Sequence, residues 1–213
     1  VVVCQLLPFY LAINASMKPQ TDMSSTLMPR LHDIAWDNWT AAITDGQILH
    51  SVVNSVIVTV CTTLIVCVVG AAAAYPLARR ATRFNKVISA LILATMMVPS
   101  AALVIPQYLL FRSFGMLDSF WPLILPSFFA QPYNVFLFRQ FFVSIPESID
   151  EAAMLDGCSR WQAYWRVIVP LGKPIFITVG IMSASFWWNE LFSPLVYINS
   201  EDLKPLTLGV LTS

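Results

Sequence analysis

Charge is scarce in this sequence. Its 213 residues include 12 Lys plus Arg and 12 Asp plus Glu, 11% in all, with a formal net charge of zero; soluble domains average about 25%. That balance offers no basic surface to nucleic acid. Histidine is rarer still: His32 and His50 are the two present, and no HExxH pair occurs, which argues against a metal-dependent hydrolase. The four cysteines, Cys4, Cys61, Cys67 and Cys158, form no CxxC pair, so neither a zinc site nor a redox motif is indicated. No GxxxxGK[ST] loop exists to cradle a nucleotide phosphate.

Apolar residues fill the space left by charge, at 57% of the chain. Residues 1–17, 51–78, 87–111, 119–138 and 174–189 carry no Asp, Glu, Lys or Arg. About 20 helical residues cross the hydrocarbon core of a bilayer. Lipid cannot hydrogen-bond a bare backbone, so a single spanning segment must be a helix. The expected fold is therefore all-α: a polytopic transmembrane helical bundle, with the bilayer itself as a partner. Residues 1–14 read as part of a first span whose start precedes this chain. Residues 15–50 read as a loop whose tail, from Trp36 onward, forms an amphipathic helix feeding the next span. Residues 51–213 form the core. Arg79, Arg80, Arg83 and Lys86 fill one short connection, and Arg139, Arg160, Arg166 and Lys173 lie on or beside another. By the positive-inside rule both face the cytoplasm, which leaves residues 15–50 outside and 143–173 inside.

Two intramembrane features stand out. Pro99 and Pro106 fall in the third run, and Pro122, Pro126 and Pro132 in the fourth. Proline removes an intrahelical bond, and such bends either serve packing alone or open a path between helices. The fifth run ends in SFWWNELFSPL, where Trp187, Trp188 and Asn189 precede Glu190. A carboxylate at membrane depth faces a cavity or a partner; near the interface it anchors beside a Trp belt. The sequence leaves both readings open. As cavity residues, Trp187, Trp188, Asn189 and Glu190 suit a sugar, with planar polar groups for hydroxyls and aromatic faces for the C–H side of a ring.

The charged segment DEAAMLDGCSRWQAYWRVIVPLGKP, residues 150–174, sits between apolar runs. Pro146 suits a first helical turn, with Ser144 as its cap. A helix over 147–156 should stop at Gly157 in a left-handed turn. Ser159 should cap a second helix to about Ile168, with Pro170 and Pro174 ending it. Glu147, Asp150, Glu151 and Asp156 lie on a short exposed element and make no catalytic set. Ala152 and Ala153 are small enough to let another surface approach. This helix–glycine–helix bracket reads as a docking knob for a soluble partner.

EAAMLDG followed by IVPLGKP resembles the EAA loop of ABC importer permeases. NSVIVT, YPLARRATRFNK, MMVPSAALVIPQYLLFRSFGMLDS, LFRQFFVSIPESIDEAAMLDG and FWWNELFSPLVYI resemble the carbohydrate branch of that family, which includes the MalG-like permeases. The resemblance implies the type I importer permease fold, with five spans present and a sixth following Ser213. It implies that Glu151, Ala152, Ala153, Asp156, Gly157 and Pro170 belong to ATPase coupling, and that ATP and Mg are held by a separate ATPase dimer. The chain itself then needs no cofactor and no metal. The other implied partners are a homologous permease subunit, an extracytoplasmic solute-binding protein and a sugar, in a prokaryotic cell membrane. Pro99 and Pro106 join Trp188, Asn189 and Glu190 as substrate-pathway candidates. The nearest rival is a permease for an amino acid, phosphate or similar solute. An intramembrane enzyme would need a His or Asp pair at membrane depth, and a secondary transporter more ionisable residues than Glu190.

Overall fold

The computed structural model describes residues 2–18, 35–38, 40, 47–80 and 82–212, and among these it contains helices and no strand. Most of the expected amphipathic tail before residue 47 lies outside the described residues. The chain divides into two compact units, 1–51 and 52–213. In the first, a helix spans Val2–Ser16, and Asn38 Nδ2 donates to the carbonyls of Ser16 and Lys18 at 3.1 and 2.8 Å.

The second unit is organised on the long helix Gln47–Arg79 from residue 52 onward. Its residues are apportioned inside out. Val56, Ile57, Val60, Leu64 and Val68 are exposed, while Asn54, Ser55, Thr59 and Thr62 are buried with Val58, Val66 and Ala71. A water-soluble helix would do the reverse; in lipid, small and polar residues are the ones that face neighbouring helices. Asn54 Nδ2 donates to the carbonyls of Asp202 and Lys204 at 2.8 and 3.1 Å, and Ser55 Oγ accepts from Leu206 N at 2.8 Å. Gly70 lets the helix Pro132–Ser144 close in: a Cβ there would stand 3.4 Å from the Phe138 ring. Phe138, Phe142, Tyr164 and Ile168 complete a core against Val66, Ala71 and Ala74.

The apolar runs do not all become straight helices. Ile48–Arg79 is long and apolar enough to cross a membrane alone, and two bent pairs meet the same test only when each is taken as one span. In one pair, Arg83–Thr95 and Ser100–Ser113 meet at 97°. Pro99, with extended backbone, caps the second half, and Pro106 lies inside it. Run 119–138, expected as one span, breaks into Trp121–Ile124, a 3-10 turn Leu125–Phe129 and Pro132–Ser144. The break falls at Ala130, with φ +51, because Pro126 and Pro132 deny the backbone two donors on either side of it.

A clasp closes the end of this unit that holds Asn54. Asp118 Oδ1 accepts from the backbone N–H of Asn199 and Ser200 at 3.0 and 2.8 Å, and Oδ2 accepts from the Ser200 hydroxyl. The Ser200 hydroxyl and the two amides hold the Asp118 carboxyl below the usual carboxylate range. A depressed folded pKa stabilises above the unfolded value and is lost as pH falls through the folded one. The protection of the Asn199 and Ser200 amides, taken relative to their intrinsic exchange rates, should therefore be high at neutral pH and be lost only in acid. Asp118→Asn keeps a residue that tolerates φ +57 but removes the charge, and should lose that protection at neutral pH as well.

Candidate functional site

The bracket is built by local rules. Its first helix spans Glu147–Leu155, with Glu147 and Asp150 in the first turn, where acidic groups suit the helix dipole. Pro146 is its N-cap, with ψ 136; Ser144 is not, because its hydroxyl donates to the Phe141 carbonyl at 2.7 Å inside the preceding helix. Gly157 takes φ +86. Its N–H donates to Met154 O at 3.1 Å and that of Cys158 to Ala153 O at 3.0 Å, which is the Schellman ending that a left-handed residue permits. Asp156 is the C-cap, and its N–H donates to Ala152 O at 3.0 Å. Ser159 then opens Arg160–Ala163 with a reciprocal capping box to Gln162.

Pro170 does not end the second helix. The helical path continues through a π-turn, Tyr164–Ile168, into Val169–Leu171. Widening the turn directly upstream relieves the clash between a proline ring and the carbonyl four residues before it. The chain turns instead at Gly172, where a Cβ would stand 3.2 Å from Ile168 O and 3.3 Å from the Phe176 ring. From there Lys173–Asn189 departs at 72° to the Arg160–Leu171 segment.

The two faces of Glu147–Leu155 differ. Asp150 and Ala153 are buried, while Ser148, Glu151, Ala152 and Leu155 are exposed at positions i, i+3, i+4 and i+7. The paired alanines therefore do different things: Ala153 packs inward, and Ala152 alone is open to an approaching surface. Leu155 is 89% exposed.

Asp150 overturns the expectation of a wholly solvated acidic element. Arg79 Nε lies 2.7 Å from Asp150 Oδ2, with both side chains about nine-tenths buried at 10% and 11% exposure. The Tyr75 hydroxyl donates to Asp150 Oδ1 at 2.5 Å. Arg79 Nη1 also donates to the carbonyls of Phe142 and Ile145, both at 2.9 Å, where a helix C-terminus welcomes a cation. The Tyr75 ring packs on Tyr164, centroids 5.0 Å apart. One arginine thus fastens the long helix, the end of Pro132–Ser144 and the bracket to each other. Arg79 and Tyr75, one helical turn apart, were legible in the sequence only as the basic and aromatic part of YPLARR.

The pathway candidates are divided among different surroundings. Glu190 is half-buried; its Oε1 accepts from Ser193 N and Oγ at 2.8 and 2.9 Å, and it lines a cleft of about 180 Å³ with Gln107 and Tyr197. Asn189 and Trp188 are exposed, and Asn189 Nδ2 donates to Ser185 O at 2.7 Å. Trp187 instead lines a larger cleft of about 540 Å³ with Thr95, Gln131, Asn134 and Ser183. Pro99 and Pro106 line neither; Pro99 flanks the bend that brings Thr95 and Met96 to the larger cleft.

The family model for the "Binding-protein-dependent transport system inner membrane component" matches residues 66–212. The melibiose/raffinose/stachyose import permease protein MelC of Bacillus subtilis (strain 168) is 32% identical, over 99% of this chain and 77% of that protein. The diacetylchitobiose uptake system permease protein NgcG of Streptomyces coelicolor is 30% identical, over 96% of this chain and 68% of that protein. A solved bacterial ABC transporter involved in the import of the acidic polysaccharide alginate contains a chain with a TM-score of 0.85 and 27% identity, covering 97% of this chain and 73% of that one.

Proposed function

The chain belongs to the family of binding-protein-dependent transport system inner membrane components, and from that premise we propose that it carries a saccharide across the membrane while its bracket receives the force of ATP hydrolysis. It is a permease subunit of an ABC importer, a transport component rather than an enzyme. A solute-binding protein and ATPase subunits are its partners by the nature of that family. A sugar or oligosaccharide substrate is supported by the import roles named for its relatives. A second permease subunit pairs with it, and ATP and Mg reside on the ATPase dimer.

The observation that carries the mechanism is the Arg79–Asp150 pair. The exposed face of Glu147–Leu155 contacts the ATPase, and Arg79 joins the buried face to the long helix. Closure of the ATPase dimer then moves the bracket and the cytoplasmic end of that helix as one body, and the cavity between permeases changes the side to which it opens. The test is uptake by proteoliposomes holding both permeases and the ATPase. Saccharide should accumulate only with ATP inside and loaded binding protein outside; ATP-independent uptake would contradict the reading.

On the same reading, residues 78–86 and 143–173 lie in the cytoplasm and 15–50 outside, around five spans. Ser159→Cys in intact cells should resist a membrane-impermeant thiol reagent and react once the membrane is permeabilised. Fast labelling in intact cells would reverse the orientation.

A further inference from the structure

The turn that follows the long helix gathers cations that nothing else in the chain answers. Ile48–Arg79 has 32 residues, about 48 Å at 1.5 Å per residue. That is close to the ~40–45 Å of a bilayer with its headgroups, so a helix that crosses the membrane brings this turn to headgroup level. Arg79 is already committed to Asp150. Arg80, Arg83 and Lys86 follow it, and all three are exposed. Among the described residues, none of their side chains makes an ion pair or a hydrogen bond.

Local bonds hold the turn in shape. Thr82 Oγ1 accepts from Asn85 N at 3.1 Å, and Asn85 Nδ2 donates to the carbonyls of Pro76 and Arg80 at 3.0 and 2.8 Å. They fix the start of Arg83–Thr95, whose first turn holds Arg83 and Lys86 and no acidic residue. Cations there oppose the positive end of the helix dipole, a crowding of like charge that a bound anion relieves. The same helix buries none of its residues. Phe84, Val87 and Leu91, at i, i+3 and i+7, are 71%, 57% and 59% exposed. They form an apolar stripe that begins beside the cations and runs away from them along the helix.

We propose that this turn binds an anionic phospholipid, with Arg80, Arg83 and Lys86 around the headgroup phosphate and Phe84, Val87 and Leu91 along an acyl chain. An arginine fork matches phosphate geometry, and basic clusters directly beside a membrane span attract anionic headgroups. Each part of the lipid has its counterpart here. A soluble anion would answer the cations but leave the stripe uncovered. A zwitterionic lipid would answer the stripe but bring its own ammonium to a cluster already rich in positive charge. The proposal rests on the chain being a membrane component; it does not depend on which solute is carried or on which side the turn faces.

The test uses the assembled complex of both permeases and the ATPase in phosphatidylcholine nanodiscs. A trace of phosphatidylglycerol with a photoactivatable diazirine in its acyl chain is added, and peptide-resolved mass spectrometry locates the adducts. Adducts on the stretch holding Val60 and Leu64, exposed on the long helix, serve as the reference and report separately that the chain lies in lipid. Relative to them, adducts on 84–91 should be enriched severalfold. Unlabelled phosphatidylglycerol should remove that enrichment and inorganic phosphate should not, while a diazirine probe with a choline headgroup should show none. Substituting Arg80→Gln, Arg83→Gln and Lys86→Gln together should abolish the enrichment with the reference unchanged; should that variant fail to assemble, the headgroup comparison on the wild-type complex decides. Equal enrichment by the choline probe, enrichment that survives the charge substitutions, or displacement by inorganic phosphate each overturns the assignment. So does a lack of adducts on 84–91 beside normal reference labelling, the result expected if the ATPase or the second permease covers the turn.

Discussion

Arg79→Ala should abolish saccharide uptake by the reconstituted complex and lower its thermal stability more than Tyr75→Phe, Gly157→Val or Glu151→Lys. Its guanidinium is buried against Asp150 at 2.7 Å and donates to two main-chain carbonyls. Removing one member of a buried ion pair strands the other charge, a loss of about 3–5 kcal/mol. The effect on transport should exceed that on insertion, because the long helix is long and apolar enough to cross a membrane without it, whereas Arg79 joins that helix to the bracket. Arg79→Lys should rescue little. A single ammonium lacks the planar fork that reaches the carboxylate and both carbonyls together. Tyr75→Phe removes only the hydroxyl bonded to Asp150; a hydrogen bond to a charged group contributes about 1.5–3 kcal/mol, so uptake should fall without vanishing. Uptake and melting temperature, measured in matched proteoliposomes, should rank wild type, Tyr75→Phe and Arg79→Ala in that order.

Gly157→Val should uncouple the complex by a different route. Nothing lies within 4 Å of a Cβ built there, so a new side chain meets no clash beyond its own backbone. The penalty comes from φ +86, roughly 1–2 kcal/mol for an L-residue forced into the left-handed region. That is small for the fold as a whole. It is large for one turn whose two closing hydrogen bonds, from Gly157 and Cys158, depend on that conformation. Gly157→Val should insert normally and either release the ATPase or hydrolyse ATP without moving substrate. Gly157→Asn should retain more transport, since Asn tolerates this region better than a β-branched residue. Glu151→Lys, which reverses charge on the exposed face without touching the backbone, should weaken ATPase retention in a pull-down. Wild-type uptake in both Gly157→Val and Glu151→Lys would show that the bracket is a plain solvated linker.

The bracket was readable because its signals are local. Gly157 as a left-handed stop and Ser159 as a cap depend on a few neighbouring residues, and both appear in the structure as the sequence predicts. Pro170 misled because a π-turn upstream makes room for its ring, and neither composition nor spacing announces that adjustment. Asp150 misled for a longer-range reason: the hydroxyl that binds it belongs to Tyr75, 75 residues earlier. Pattern alone assigns an acidic residue on a short charged helix to solvent. The uncharged runs announced a membrane bundle, yet the run 119–138 could not show its own break, because the effect of a proline in lipid depends on which neighbours receive the freed carbonyls. The SFWWNE stretch was legible as unusual but not as divided. One residue, Trp187, faces the larger cleft while Glu190 lines the smaller, a distinction that only the packing of Ser100–Ser113 and Pro132–Ser144 beside it creates.

The claim on which the account depends is that Ser148, Glu151, Ala152 and Leu155 form the surface that meets the ATPase. Ala152→Cys, at the centre of that exposed stripe, tests it directly through a short bifunctional thiol reagent applied to the whole complex, with a cysteine scan of the ATPase surface as the partner set. The account predicts an efficient crosslink between position 152 and one ATPase cleft, with a yield that changes when ATP binds. A crosslink from position 152 only to the second permease, or none with the ATPase while the complex still transports, would contradict it.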